Sequence, residues 1–505
     1  MFAIIPDRDK SFMICNLVSK NTLITSSLFL LSTITIHVCA QQQFYPSPII
    51  KENAAFTLWL DSATKNQLEL VSSLPHAQRD YVRIAFEERK EFLNSLLSNG
   101  QLMFNTDLDK EVHQVYSKIE AANPQVKNIA KVFVLTNSSV NAVNLGGGTI
   151  LVCTGLLERL QNDDQLAFVL CHELAHQYKD HVNKQLMKNA EIVTDKKLND
   201  SIQHILKDQY QVATKLTNFI IPGLTKRMQY SREKELQADS LGCVFYKKAG
   251  FDVNELINCL SMLDHADEEF LNQQLNFKAY FKNDSITFHD DWLGEEYTSS
   301  LGKFNLGKDT LIALLKTHPD IPQRISAIKK QLGADSATIK SNSPKNTFTD
   351  ISIVASINDA EQQYNNHNYS RAFYIAYQLQ LSHPELTYPR YLISCILGEL
   401  SLYRKNHMAG KYLELQDEED SKTYSATLNF LWALETKDFA SLSYWLIRPS
   451  KPDFTNEFQM KALLYSSLAM GKQQEFTTLF AKYSPENKKS EQYLFFQSIA
   501  DPKKK

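Results

Sequence analysis

At 505 residues the chain exceeds what one ordinary hydrophobic core holds, so two or three domains are expected. Its 43% apolar and 22% charged residues are ordinary for a soluble globular protein. A net charge of −3, with no basic stripe outside Lys503–Lys505, argues against nucleic acid as a partner.

The first forty residues read as an export signal. Residues 22–38 are mostly apolar, Lys10 and Lys20 precede them, and Val38-Cys39-Ala40 offers small residues before a cleavage point after Ala40. The run is short for a membrane span and carries several Ser and Thr, so an uncleaved anchor is the weaker reading. The expectation is residues 1–40 as a signal peptide and a periplasmic product. Lipidation of Cys39, secretion, peripheral membrane attachment and a start at Met13 are the alternatives. The five cysteines beyond the leader (Cys153, Cys171, Cys243, Cys259 and Cys395) are scattered, without a CxxC. They read as buried small hydrophobes, with one disulfide as the alternative.

Residues 41–75 look irregular or partly helical. From 74 to about 120 the spacing of Tyr81, Ile84, Ala85, Phe92, Leu93, Leu96 and Leu97 is helical. Lys131–Thr136 is β-branched and ends at Asn137-Ser138-Ser139, a strand and its turn. Asn141–Asn144 is a second candidate strand, and Gly146-Gly147-Gly148 turns the chain into a third, Thr149–Cys153. Asn162 with Gln165 resembles a capping box, followed by a helix whose buried stripe is Leu166, Val169, Leu170 and Leu174. A longer helical region spans about 183–219 and breaks at Pro222-Gly223. Another covers Ser231–Ala249 and stops at Gly250. Residues 334–349 are polar and rich in Ser, Asn and Thr, the best candidate linker. Beyond it, consecutive helices place Ala360, Tyr369, Ala372 and Pro384 near the packing positions of a tetratricopeptide repeat; a generic helical bundle is the alternative.

The chemistry is concentrated in His172-Glu173-Leu174-Ala175-His176, a HExxH motif on the capped helix. Residues four apart share a helix face, so His172 and His176 can present two imidazoles to one metal ion, while Glu173 stands beside them as a base rather than a ligand. A zinc hydrolase needs a third protein ligand and an open position. Glu235 is the candidate, with Asp239 one turn on placed to accept the free ring N–H of a ligand histidine. The competing reading is an ordinary exposed acidic face that includes Glu233. His181 lies five residues beyond His176, about 140° around a continuous helix, and so faces away from the metal. Cys171 likewise points off the ligand face into the core.

Several blocks occur in one order: Asn141-Ala142, the triple glycine with Thr149–Val152, Thr154-Gly155-Leu156-Leu157-Glu158, Asp164–Ala167 and the HExxH. Downstream are Arg232, Glu235, Ala238-Asp239, Gly242 and Ala249–Asp252, then Thr317-His318-Pro319 with Arg324-Ile325. Over residues 75–332 this resembles the gluzincin family of HtpX-type and prenyl-protein (CAAX) processing proteases. The chain is similar to the soluble periplasmic (BepA-like) branch, which adds tetratricopeptide-like repeats. The resemblance implies a mainly α fold: an α+β zincin core with a small β-sheet (41–333), the linker 334–349, and an all-α helical-repeat domain (350–505).

It also implies one Zn2+ per chain held by His172, His176 and Glu235, with Glu173 as general base and acid. His318 becomes the candidate donor to the developing oxyanion, or a resting ligand at the open position; its alternative is a helix-flanking histidine before proline. An extended substrate is expected to pair with the strand Thr149–Val152 as an edge, with Gly148, Thr149, Ile150 and Asn141 at the cleft. The implied function is an exported zinc metalloendopeptidase acting on unfolded or misassembled cell-envelope proteins, with an envelope partner on the C-terminal helices. A chaperone-like or adaptor protein with a latent metal site is the alternative.

Overall fold

The computed structural model describes residues 43–197, 200, 231–266, 268, 273–294, 321–333, 345–417, 420–448, 452–485 and 488–501. The expected leader, residues 201–230, His318 and most of the expected linker lie outside them. The fold is mainly α with one small four-stranded sheet, as expected.

Helix α1 (Ala54–Val71) starts where the Asn53 side chain accepts from the Phe56 N–H. It buries Phe56, Leu60, Thr64, Gln67 and Val71 at three- and four-residue spacing. Two of those five inward positions are polar, which is why the stretch does not read as a clear amphipathic helix. The helical region expected over 74–120 is two helices, α2 (His76–Ser98) and α3 (Asp107–Ala122). The turn at Asn99-Gly100 and the short strand β1 (Leu102–Met103) separate them.

Strands β2 (Lys131–Leu135), β3 (Ala142–Gly146) and β4 (Thr149–Cys153) join β1 in the order β1-β2-β4-β3. Gly146, Gly147 and Gly148 all have φ between 63° and 78°, so the chain can reverse there without a Cβ penalty and lay β4 antiparallel on β3. β2 pairs in parallel with the other side of β4, Val132 opposite Ile150. β4 therefore lies inside the sheet with all five residues buried. The expected edge at Thr149–Val152 is corrected accordingly: the open edge on that side of the sheet is β3.

The short helix α4 (Thr154–Arg159) leads to α5 (Asp163–Tyr178), the motif helix. Asn162 Oδ1 accepts from the Gln165 N–H as expected of a cap, but Gln165 Oε1 accepts from Gln161 N–H rather than closing the box on Asn162. Every residue of α5 from Asp164 to Ala175 is buried. Helix α6 (His181–Thr194), a helix α7 through residues 231–248, and α8 (Val253–Asp264) follow. Helix α7 approaches α5 closely because Gly242 has no side chain: a Cβ there would sit 3.1 Å from the His172 amide nitrogen.

The remaining helices are α9 (Phe277–Tyr280), α10 (Ile321–Leu332), α11 (Lys345–Asn365), α12 (Tyr369–Ser382) and α13 (Tyr388–Lys405). They are followed by α14 (Lys422–Ala433), α15 (Thr436–Ile447), α16 (Glu457–Ala469), α17 (Gln473–Phe480) and α18 (Glu491–Ala500). Two large apolar cores result, one around the sheet and α5 and one among the C-terminal helices. Helix α11 belongs to both: Phe348, Ile351, Val354 and Ala355 enter the first, Ile353, Ile357, Ala360 and Tyr364 the second. Helix α9 stacks Phe277 on Phe430 at 4.1 Å within the C-terminal core. Residues 43–505 thereby form one compact unit. No described helix is long and apolar enough to cross a membrane. All five described cysteines are free and buried, so none forms the disulfide left open by the sequence.

Where α4 meets α11, Glu158 accepts from the Ser356 hydroxyl at 2.6 Å, and its main-chain oxygen accepts from Ser352. Burial and the nearby Asp359 push the Glu158 carboxyl from its ordinary 4.5 up to about 7. The folded chain then binds more protons than the unfolded chain across that interval. Stability at this seam is greatest below the unfolded value and falls as pH rises through the folded one. Replacing Glu158 by the isosteric amide keeps the serine contact and removes the charge. Calorimetry of E158Q is expected to show a melting temperature a few degrees above native at pH 8 and no gain at pH 4.

Candidate metal centre

Helices α5 and α7 bring three ligating side chains together. His172 Nε2 and His176 Nε2 lie 3.1 Å apart, and the Glu235 carboxylate oxygens lie 3.4 Å and 3.5 Å from them. Zinc bonds of about 2.0–2.1 Å in a tetrahedron set neighbouring donor atoms about 3.3 Å apart, so the triangle has the dimensions of one tetrahedral face. Its donor set, two imidazoles and a carboxylate, suits zinc, and it is the metal-sized cluster of such groups among the described residues. Glu235 is buried while Glu233 is exposed, which separates the two readings of that acidic face.

Behind the triangle stands a buried charge network. His172 Nδ1 donates to Asp239 Oδ1 at 2.9 Å, which turns Nε2 toward Glu235 and His176. Arg324, from α10, closes a two-pronged contact on Asp239, Nε to Oδ2 at 2.8 Å and Nη2 to Oδ1 at 2.7 Å. Burial by itself would raise Asp239, but the bonds from Arg324 and His172 outweigh it and hold the carboxyl at about 2. Burial likewise opposes charge on His172, yet its bonds to Asp239 and Glu235 hold the ring up at about 10. The surroundings of the triangle thus favour positive charge there, as a cation requires. Sequence spacing points to Asp239. Arg324 stands out in the sequence only as part of a downstream signature, although a buried carboxylate needs such a partner.

His181 corrects the reading that it faces away. Its Nδ1 lies 3.1 Å from His176 Nδ1, with ring centroids 5.0 Å apart. The 140° argument holds only for a continuous helix; here α5 ends at Tyr178, and Asp180 takes a left-handed conformation at φ 52° before α6 begins. That reversal swings His181 back over the motif. Burial and the ammonium groups of Lys234 and Lys184 pull its ring down to about 4 despite a hydrogen bond with Gln237, so at neutral pH it is an uncharged partner for His176. Lys234 Nζ donates to the His181 carbonyl at 3.0 Å and to Gln185 Oε1 at 3.2 Å, tying α7 to the first turn of α6.

Glu173 is buried beside the triangle. One of its carboxylate oxygens accepts from the Asn144 main-chain N–H at 2.7 Å. The Asn144 side chain donates to the Glu173 carbonyl at 3.1 Å and accepts from the Gly146 N–H at 2.6 Å, which stabilises the irregularity of β3. Asn144 carries no motif of its own, and sequence reasoning passed over it. Of the expected cleft residues, Gly148 donates to Gln177 Oε1 at 3.3 Å and lines a groove of about 450 Å³ together with Trp59, Gln67 and Lys131. Thr149 and Ile150 are buried within the sheet, and Asn141 is exposed, its carbonyl accepting from Cys153 N–H. Cys171 is in the core, as expected.

Removing a group that orients a ligand typically lowers metal affinity about 10–100-fold. Competition against a chromophoric chelator is therefore expected to show losses of that size for D239N and H181A. H172A and E235A should lose tight zinc binding altogether.

Residues 104–332 match the model of Peptidase family M48. The chain is 33% identical over 137 residues to the mitochondrial metalloendopeptidase OMA1 of Arabidopsis thaliana, covering 27% of this chain and 26% of that protein. It is 26% identical over 187 residues to the OMA1 of Schizosaccharomyces pombe, covering 36% and 52%. To the beta-barrel assembly-enhancing protease of Escherichia coli O157:H7 it is 22% identical over 179 residues, covering 35% and 37%. The chain thus spans between about a quarter and a half of the length of these relatives. The segment that resembles peptidase family M48 contains the helix of His172 and His176, the helix of Glu235 and the arginine that holds Asp239, so the likeness covers every described part of the candidate metal centre.

Proposed function

We propose that the protein is an exported zinc metalloendopeptidase that hydrolyses peptide bonds in unfolded or misassembled cell-envelope proteins. The observation that carries the reading is the His172–His176–Glu235 triangle with a buried carboxylate, Glu173, held beside it by the backbone of an edge strand. A protein that only binds partners has no use for that fourth group. The envelope setting is supported by the leader-like N-terminus and by the names of the relatives that enhance β-barrel assembly.

Zinc bound by His172, His176 and Glu235 would lower the pKa of its water and polarise the scissile carbonyl. Glu173 takes the proton of the attacking water and delivers it to the leaving amine. An extended substrate pairs with β3, whose Asn144 N–H already serves Glu173, rather than with the interior strand β4. Asp239 and Arg324 keep the His172 ring oriented through the cycle, and His181 does so for His176. His318, on sequence grounds alone, supplies the donor to the oxyanion.

The deciding comparison uses zinc-loaded native chain and E173Q on an unfolded protein substrate. Chelator-sensitive cleavage by the native chain, with E173Q binding zinc equally but cleaving at least 1,000-fold more slowly, is the expected result; equal rates would reject Glu173 as the base, and zinc binding without cleavage by either chain would favour the adaptor reading. N144A retains the main-chain donor but frees the strand, and is expected to lower kcat about tenfold with little change in zinc affinity.

A further inference from the structure

Residues 43–47 form no helix or strand, yet all five are partly buried. Phe44 packs against both cores, and the polar contacts of the segment are made with the C-terminal helical array. The Gln43 carboxamide is satisfied at both ends: its nitrogen donates to the Glu385 carbonyl at 3.1 Å, and its oxygen accepts from the Thr387 N–H at 2.9 Å and hydroxyl at 2.8 Å. Tyr45 stacks on Phe458 at 5.5 Å and meets the Tyr388 ring edge-on at 6.3 Å, and its hydroxyl accepts from Asn456 at 2.9 Å. At Ser47 the contact passes to the backbone, its N–H donating to Asn358 Oδ1 at 2.8 Å. The Asn358 nitrogen is itself fixed on the Val354 carbonyl, which aims the oxygen outward.

We propose that this surface, built from α11, the start of α13 and the start of α16, reads extended polypeptide, and that residues 43–47 occupy it as an internal ligand. The partner it fits is an extended protein segment with a carboxamide side chain followed two positions later by an aromatic one. A carboxylate in place of Gln43 could not donate to Glu385, so the amide is specified rather than tolerated. The two-residue spacing puts both side chains on one face of an extended chain, and the contact from Asn358 reads backbone whatever the residue. Pro46 and Pro48 favour extended backbone on either side of Ser47. Because the internal ligand is tethered, it acts at an effective concentration of about millimolar, and a free segment must exceed that to displace it. The inference gives the partner class for the helical region in the function proposed above. Its test reads binding alone, so it fails or stands apart from catalysis.

A fluorescent peptide with the sequence of residues 43–50 would be titrated by anisotropy into the full native chain and into the full chain carrying Q43A and Y45A. The expected result is binding at least tenfold tighter to the double variant than to the native chain. That binding should be lost when T387V or N456A is added, or when the peptide itself lacks its glutamine and tyrosine. Circular dichroism melting confirms that each variant is folded, and T387V and N456A are used separately so that one unstable protein does not decide the outcome. A peptide that binds neither chain would make residues 43–47 a simple tether and overturn the proposal. So would binding that ignores T387V and N456A, since it would lie elsewhere.

Discussion

The buried contact of Arg324 with Asp239 is the constraint on which the centre depends. It joins α10 to α7, and through the His172 ring it reaches α5, so three helices from distant parts of the chain meet at one carboxylate. A charge pair taken out of water is costly unless its geometry is close to ideal and its remaining hydrogen bonds are made. Here both carboxylate oxygens of Asp239 are used, one of them twice. Losing either partner would leave an uncompensated charge in the interior, a penalty of about 3–5 kcal/mol. The network therefore specifies an arrangement more than it adds net stability. Through Asp239, α10 braces the His172 ring whose other nitrogen faces Glu235.

The second organising element is α11. It is buried on nearly every side from Ile351 to Ala360, polar Ser356, Asn358 and Asp359 included, so it lies inside the molecule and not at its surface. Its two faces supply the sheet-side core and the C-terminal core in alternation, so the half that holds the metal centre and the helical half share a wall rather than meeting across two finished surfaces. Phe277 of α9, with Phe281 and Trp292 beyond it, joins the C-terminal core alone. The Glu158 seam lies on this shared wall, which places a titratable group where the two halves are least separable.

Much of this was legible in the residues because it rests on short-range rules. The HExxH spacing, the Asn162 cap, the three longer strands and the i, i+4 relation of Glu235 to Asp239 each follow from helix or strand geometry within a few residues. What could not be read depends on the path of the chain between elements. The edge position of β3 follows from which strand β2 chooses to pair with, and no local pattern in Thr149–Cys153 states that. His181 was misplaced because one left-handed residue, Asp180, ends the helix on which the rotation was counted. Asn144 reads as an unremarkable strand residue until the tertiary fold sets it against Glu173. Helix α1 was obscured by Thr64 and Gln67 in its inward stripe.

Lys234 has a consequence beyond its own contacts. Its ammonium group holds the first turn of α6 at His181 and Gln185 while its backbone belongs to the same stretch of helix as Glu235. The start of α6 and the helix that carries Glu235 are thereby clasped to each other at Lys234. The third ligand is placed not by its helix alone but by a cation one residue before it, which finds its oxygen partners on the element that also carries His181.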